Sequence, residues 1–463
     1  MSRHEEKVEN LRAALRAGAT DVGLAKKTSN LFRDRVASQR PRIDLSGFNE
    51  VIEVDARNNR AIAEGMTTYE SLAHATLAHG AMPCVVPQLK SITLGGAAAG
   101  VGIEASSFRH GLVHDTLLSL DVLLAGGDIV TCTPENEHRD LFFGFPNSYG
   151  TLGYALKVTA RTMPVKRYVR IEHVRHTDPR RYFEDLEARC RERGARAPDF
   201  IDGAVFARGE MVITLGRFVD VAPYASDYTW KKIYYRSLRE RSEDYLATRD
   251  FLWRWDTDWF WCSKNLGAQN PLVRRLFGRK RLNSVTYAAI MRWNSRWGIT
   301  RALDRLAGRH PESVIQDVDI PIARAPEFLE FFHREIGILP VWICPIGVHD
   351  SGAHDSGAHD TNTNTRTNAR FPLYPIDPKT LYVNFGFWDV VRSTELHESG
   401  HFNRLIERKV AELGGVKSLY SDSYYPEDEF WQRYNREAYE ALKARYDPQG
   451  KLKNLYEKCV LRR

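Results

Sequence analysis

The chain has 463 residues, 43% of them hydrophobic and 27% charged, with a net charge of +7. That length carries two or three domains with real cores, and the balance is that of a soluble globular protein rather than a disordered or fibrous one. No apolar run reaches the roughly 20 residues of a membrane span, the opening MSRHEEKVENLRAALRAG lacks the apolar stretch of a signal peptide, and six scattered cysteines without a CxxC pair read as reduced thiols.

In chain order, residues 5–18 have a helical pattern and 22–25 that of a short strand, before a polar loop at 26–30. Residues 51–55 and 61–64 read as strands around the Asn58-Asn59 turn, and 67–80 as a helix with Thr67 or Thr68 at its start. Residues 83–87 lead into the most informative segment, TLGGAAAGVGIEASSFRHGL at 93–112. It holds Gly95, Gly96, Gly100, Gly102 and Gly111, interleaved with alanine and serine, so it is poorly suited to filling a core. Glycine marks a backbone that needs positive φ or close approach to something flat or anionic, and unshielded N–H groups in such a loop cradle anions. It is no Rossmann fingerprint, because no long amphipathic helix follows Gly100-Val101-Gly102. A hairpin follows instead: strands at 117–125 and 129–133 about Gly126-Gly127-Asp128. Gly150-Thr151-Leu152-Gly153 precedes a strand at 154–162, so residues 15–165 read as an α+β domain.

The second half reads as strands at 168–174, 211–218, 313–320, 341–346 and 381–387, with helices near 179–193 and 327–336. Residues 228–282 are aromatic and basic; 349–370 contain HDSGA twice and then TNTNTRTN, which predicts a solvated insertion, with metal ligation by its His and Asp the alternative. Residues 395–463 are helical in pattern, with a YDPQG turn at 446–450.

Several marks spread over nearly the whole chain carry a resemblance. They are Pro87, Leu89 and Thr93 leading into Gly95-Gly96, Gly100, Gly102-Ile103-Glu104 and Ser106-Ser107; Cys132-Thr133-Pro134; Asp140-Leu141-Phe142; and Gly150–Gly153. Further on come Asn270-Pro271 with Leu276-Phe277-Gly278; Val314 with Gln316-Asp317; Pro340, Trp342 and Cys344-Pro345; Leu419-Tyr420 with Asp422; Glu429-Phe430-Trp431; and Leu455-Tyr456 with Lys458. The chain resembles the FAD-linked oxidoreductases of the vanillyl-alcohol-oxidase type, in particular the Δ24-sterol reductase branch. Within it the chain looks most like the bacterial reductases that convert a 10-methylene to a 10-methyl group on a phospholipid acyl chain.

The resemblance implies an α+β fold: a two-part PCMH-type FAD-binding domain over 1–166, a substrate-binding cap over 167–394 with an insertion at 348–370, and a helical segment, 395–463, packing back on the FAD domain. It implies FAD held by Thr93, Gly95, Gly96, Gly100, Gly102, Ile103, Ser106, Ser107, His110 and Gly111, and by Gly150, Thr151 and Gly153. The family's early phosphate loop falls at 26–30, which has no glycine. Leu89 stands where related enzymes carry a flavin-linking cysteine, so FAD is expected to be non-covalent. His110 departs from the tyrosine that many relatives have there. NADPH is the implied electron donor.

Reducing an unactivated alkene demands an acid, because no carbonyl stabilises a carbanion. Protonation of the terminal carbon gives tertiary cation character, which hydride then quenches. Candidate acids are Glu104, Asp317, Tyr420, Asp422 and Tyr424; a carboxyl in an apolar pocket stays protonated near neutrality. Strand alternation puts Asp317 and Asp319 on one face, usually the solvent face. In 253–261 four tryptophans and a phenylalanine precede five basic residues at 274–281. That suits docking on an anionic membrane surface, with a domain interface as the alternative. The expected partners are a phospholipid acyl chain or other lipid alkene, an anionic membrane, and a methylene-forming methyltransferase. No nucleic-acid module is recognised. The expected location is cytoplasmic, peripheral at the inner face of the cell membrane. Competing readings are reduction of a sterol or isoprenoid alkene, flavin-linked oxidation of a small alcohol or lactone, and a non-catalytic lipid-binding subunit.

Overall fold

The computed structural model describes residues 2–16, 23–25, 42–297, 304, 306–347 and 369–462. The loop at 26–30 and nearly all of the HDSGA insertion lie outside them, as do the ends of the helix and short strand expected before residue 26.

The first unit is built on a six-stranded antiparallel sheet. Its strands run Val51–Asp55, Arg60–Glu64, Tyr154–Pro164, Leu117–Leu123 and Ile129–Cys132 in spatial order, with Ala81–Pro83 also paired to Tyr154–Pro164. Local sequence explains much of it. Gly127 at φ +97° turns the Leu117–Cys132 hairpin, and Thr68 caps the helix Tyr69–Leu77 by accepting from the Ser71 N–H at 3.2 Å. Alternate residues of Tyr154–Pro164 are buried, as a half-covered sheet requires. The helix Arg3–Arg16 packs Leu11 near Leu45, Phe48 and Leu156.

The second unit is an eight-stranded antiparallel sheet, in the order Glu243–Ala247, Tyr168–His176, Glu210–Val219, Phe200–Ala207, Val341–Ile346, Tyr382–Ser393, His310–Pro321 and Val416–Lys417. Helices Pro179–Arg191, Ala325–Glu335 and His401–Glu412 cover one face through Phe183, Leu186, Phe328, Phe332, Ile406 and Val410. The other face, with Trp342, Cys344 and Trp388, joins the core of the first unit. The C-terminal segment is shared between the units. Val416–Lys417 extends the second sheet, while Lys458 donates to the Tyr149 carbonyl and Arg445 pairs with Asp140 in the first. Among the described residues no helix is long and apolar enough to cross a membrane.

Two sequence expectations need correction. The segment 93–112 is neither a loop throughout nor excluded from the core: it contains the short helices Leu94–Ala99 and Ser107–His110, and Leu94, Ala97, Ala98, Ala105 and Phe108 are core residues. Its small residues fill the core by letting backbones close in. The tryptophans of 253–261 do not face a membrane either. Trp253, Trp255, Trp259, Phe260 and Trp261 are each at most 7% exposed. Phe260 stacks between Trp255 at 5.0 Å and Trp388 at 4.3 Å, under the second sheet. The polar residues between them are buried with partners: Arg254 with Glu104 and Asp202, Asp258 with Arg274, and Asp256 with Ser284.

Candidate functional site

The glycine segment lies where the two sheets meet. Gly95 is forced by its neighbour, since a Cβ there would sit 2.8 Å from the Gly65 carbonyl oxygen. At Gly102 a Cβ would lie 2.6 Å from Val113 Cγ2 and 3.2 Å from Pro87. Beyond Gly102 the segment is stitched to the second sheet: Ile201 N donates to the Ala105 carbonyl at 2.7 Å and Gly347 N to that of Ser107 at 3.0 Å. The side chains of Thr93, Ser106, Ser107 and Thr151 hold this backbone in place. Thr93 accepts from Gly96 N, Ser106 donates to the Cys84 carbonyl, Ser107 accepts from Glu104 N, and Thr151 donates to the Ser148 carbonyl. Ile103 packs with Leu112, Ile346 and Tyr374, and His110 is half-buried at the end of its helix.

Residues 147–153 run alongside. Tyr149 N donates to the Ala99 carbonyl at 2.8 Å and Asn147 N to that of Gly100 at 3.2 Å. Asn147, Tyr149, Gly150 and Gly153 all have positive φ, and such strain in non-glycine residues concentrates at functional sites. The Tyr149 ring lies against Gly100, where a Cβ would come within 3.3 Å of it.

Near Tyr149 the second sheet presents Asp317 and Trp388, and the segment just after its last strand presents Tyr420. Register sets Asp317 opposite Gly386, with Trp342 on the other side of that glycine. Having no side chain, Gly386 leaves room for its neighbours: a Cβ there would lie 2.5 Å from the Trp388 ring and 2.8 Å from Asp317 Oδ1. Trp388 Nε1 donates to the Tyr420 hydroxyl at 2.8 Å, and that hydroxyl donates to Asp317. Tyr149, Asp317, Tyr420 and Trp388 are all half-buried, Tyr149 and Trp388 at the margin of the core, and their partly open surfaces define the cleft. Asp317 Oδ1 itself is out of reach of solvent and has no hydrogen-bond partner. Burial pushes this carboxyl up to about 7 against the opposing bond from Tyr420. Asp319, two residues on and on the same face as alternation predicts, accepts from Tyr374 at 2.6 Å and Asn384 at 2.7 Å. Burial raises it to about 6. Both aspartates face the interior, because the opposite face of this strand is the one the helices cover.

The other candidate acids are placed differently. Glu104 is buried in a triad: Arg254 donates to its Oε1 at 2.9 Å and to Asp202 at 2.7 Å, and the Trp255 and Trp342 indoles also donate to Asp202. Burial raises Glu104 to about 7 although Arg254 opposes it. The triad joins the glycine segment to the second sheet. The Asp422 carboxylate pairs with Arg462 at 3.3 Å. Tyr424 packs against the Arg404 and Arg462 guanidinia. Sequence reasoning missed Tyr149, Gly386 and Trp388. A glycine inside a strand signals close approach, and that was the available clue to Gly386.

Comparison with known proteins fits this geometry. Residues 2–133 match the family model described as FAD binding domain. Over 429 residues the chain is 26% identical to the human Δ24-sterol reductase, covering 88% of this chain and 76% of that protein. To the Δ24-sterol reductase of Arabidopsis thaliana it is 24% identical over 441 residues, 90% of this chain and 76% of the other. Cytokinin dehydrogenase 7 of rice is 30% identical over 171 residues, 37% of this chain and 31% of its own.

The residues around the cleft fit FAD. Among the described residues, Gln88 Nε2 and Oε1, Asn147 Oδ1, Ser148 Oγ, Asn384 Oδ1, Ser418 Oγ and Ser421 Oγ are buried without a partner in the protein. Buried polar groups are almost always bonded. This set of amides and hydroxyls offers both donors and acceptors, which the mixed carbonyl and N–H edge of a flavin requires. The glycine segment and residues 147–153 supply the close backbone. The chain is an FAD-dependent oxidoreductase built on a PCMH-type FAD-binding domain, similar over most of its length to Δ24-sterol reductases.

Proposed function

We propose that the protein reduces an unactivated carbon–carbon double bond in a lipid, the 10-methylene group of a phospholipid acyl chain, with NADPH as electron donor. The observation that carries this reading is the Asp317 carboxyl. Burial pushes it up to about 7, Tyr420 donates to it, and its Oδ1, beside the Trp388 ring, has no partner among the described residues. Bound FAD supplies the hydride. The protein's part is the proton and its surroundings. Asp317 Oδ1 gives its proton to the terminal methylene carbon, and the new C–H bond leaves positive character on the chain carbon. The Trp388 face steadies that charge as aromatic rings steady cations. The Tyr420 hydroxyl, donating to Asp317, stabilises the carboxylate left behind. NADPH and a solvent proton balance the reaction, since one hydride and one proton enter the alkene. The aromatic residues Phe260, Trp342 and Trp388 keep the cleft dry, which strengthens each of these interactions. Glu104 acts here as an anchor through Arg254 and Asp422 as a surface ion pair, so Asp317 with Tyr420 is the acid.

A second reading, reduction of a sterol or isoprenoid side-chain alkene, needs the same chemistry and is supported by the relatives named Δ24-sterol reductase. Mass spectrometry of lipids from cells expressing a methylene-forming methyltransferase, with and without this chain, tests the first reading. Conversion of 10-methylene to 10-methyl chains is expected. Their accumulation unreduced, alongside reduction of a Δ24-sterol by the purified protein, would favour the second.

A further inference from the structure

On the far side of the buried tryptophans, the second unit has a cavity of about 780 Å³ between the 228–241 segment and the helix Pro271–Phe277. Six basic side chains line it (Lys231, Lys232, Arg236, Arg241, Arg274 and Arg275) against one carboxylate, Glu240. Two of the six are neutralised, Arg274 by Asp258 and Arg241 by Asp244. Arg236 donates only to the neutral Gln269 amide, and Lys231, Lys232, Arg236 and Arg275 are exposed and form no ion pair among the described residues. Such a pocket takes an anion.

Its rim says which. Leu272 and Leu276 stand one turn apart on the same helix, 74% and 81% exposed. Arg275 lies between them; Arg279, Lys280 and Arg281 follow in the next turn, all exposed, and Val285 is exposed beyond. Trp230 lines the cavity wall. A soluble phosphate compound or a nucleic acid explains the cations and leaves the leucines without purpose. An anionic bilayer explains both: hydrocarbon for the leucines and phosphate for the cations.

We propose that this face docks on an anionic membrane, with the basic cavity receiving a lipid phosphate headgroup and Leu272 and Leu276 entering the acyl layer. It replaces the tryptophans as the membrane contact. It goes beyond the proposed reaction, and vesicle binding reports it without any turnover.

The test uses the full FAD-loaded chain sedimented with vesicles of phosphatidylglycerol and phosphatidylcholine, and with pure phosphatidylcholine. Binding to the anionic vesicles is expected, weakening with salt, with little binding to the neutral ones. Lys231→Glu/Lys232→Glu/Arg275→Glu and, separately, Leu272→Ser/Leu276→Ser should each weaken it at least tenfold, while the flavin stays bound and NADPH still bleaches it. No binding by the wild type, or unchanged binding by the leucine variant, overturns the proposal. So does a charge variant that raises the KM for NADPH while binding vesicles normally, because the cavity would then serve a soluble phosphate.

Discussion

Asp317→Asn separates the acid from its shape, because the two side chains are nearly isosteric. Burial lifts the Asp317 carboxyl from 3.8 to about 7, about 3 units at ~1.4 kcal/mol each. A raised carboxyl pKa has a definite sign. The folded state keeps its proton between pH 4 and 7, while the unfolded chain has released it. Stability therefore falls as pH climbs through that window, and above pH 7 the whole penalty stands at about 4 kcal/mol, against about 2 kcal/mol at pH 5. These are upper bounds, since the residue is only half-buried. The neutral amide escapes the penalty. Asp317→Asn should melt a few degrees above the wild type at pH 8, given a chain of this length, and about half as much above it at pH 5. It should also reduce the alkene roughly 10² to 10⁴-fold more slowly, while NADPH bleaches the flavin at the wild-type rate. Calorimetry at the two pH values and anaerobic stopped-flow spectroscopy check this. A variant that melts lower at both pH values, or that turns over lipid normally, would refute the argument.

Tyr420→Phe removes the donor that favours the Asp317 carboxylate. The acid should weaken, the falling limb of the pH–rate profile should move above pH 7, and kcat should drop about tenfold; an unmoved limb would separate Tyr420 from the acid. Arg254→Met leaves Glu104 and Asp202 buried without their cation and should cost about 3–5 kcal/mol in a denaturant titration, whereas Glu104→Gln should cost far less. Gly102→Ala drives a Cβ to 2.6 Å from Val113 Cγ2. It should cost about 1–3 kcal/mol and lower FAD content per chain, both regained in a Val113→Ala background. Asp422→Asn, which weakens a part-exposed pair with Arg462, should change stability by under about 1 kcal/mol and leave the rate alone.

The sequence by itself determined what short-range chemistry controls. Gly126-Gly127-Asp128 specified a hairpin, Thr68 a helix start, and the glycine-rich 93–112 a backbone that others approach closely. Alternation placed Asp317 and Asp319 together. The tertiary structure decided which face they share with what. Helices from three distant parts of the chain cover one side of that sheet, so the aspartates turn to the interior, Asp317 beside Tyr420 and Asp319 beside Tyr374. The same holds for 253–261. Its composition suits an interface equally well inside or outside the molecule; Glu104 and Asp202, some 150 and 52 positions from Arg254, supply the charges that let the segment go inside. Trp388 became part of the site only because register sets Gly386 against Asp317. Pairing between strands about 70 residues apart is governed by the whole sheet, so no local pattern encodes it.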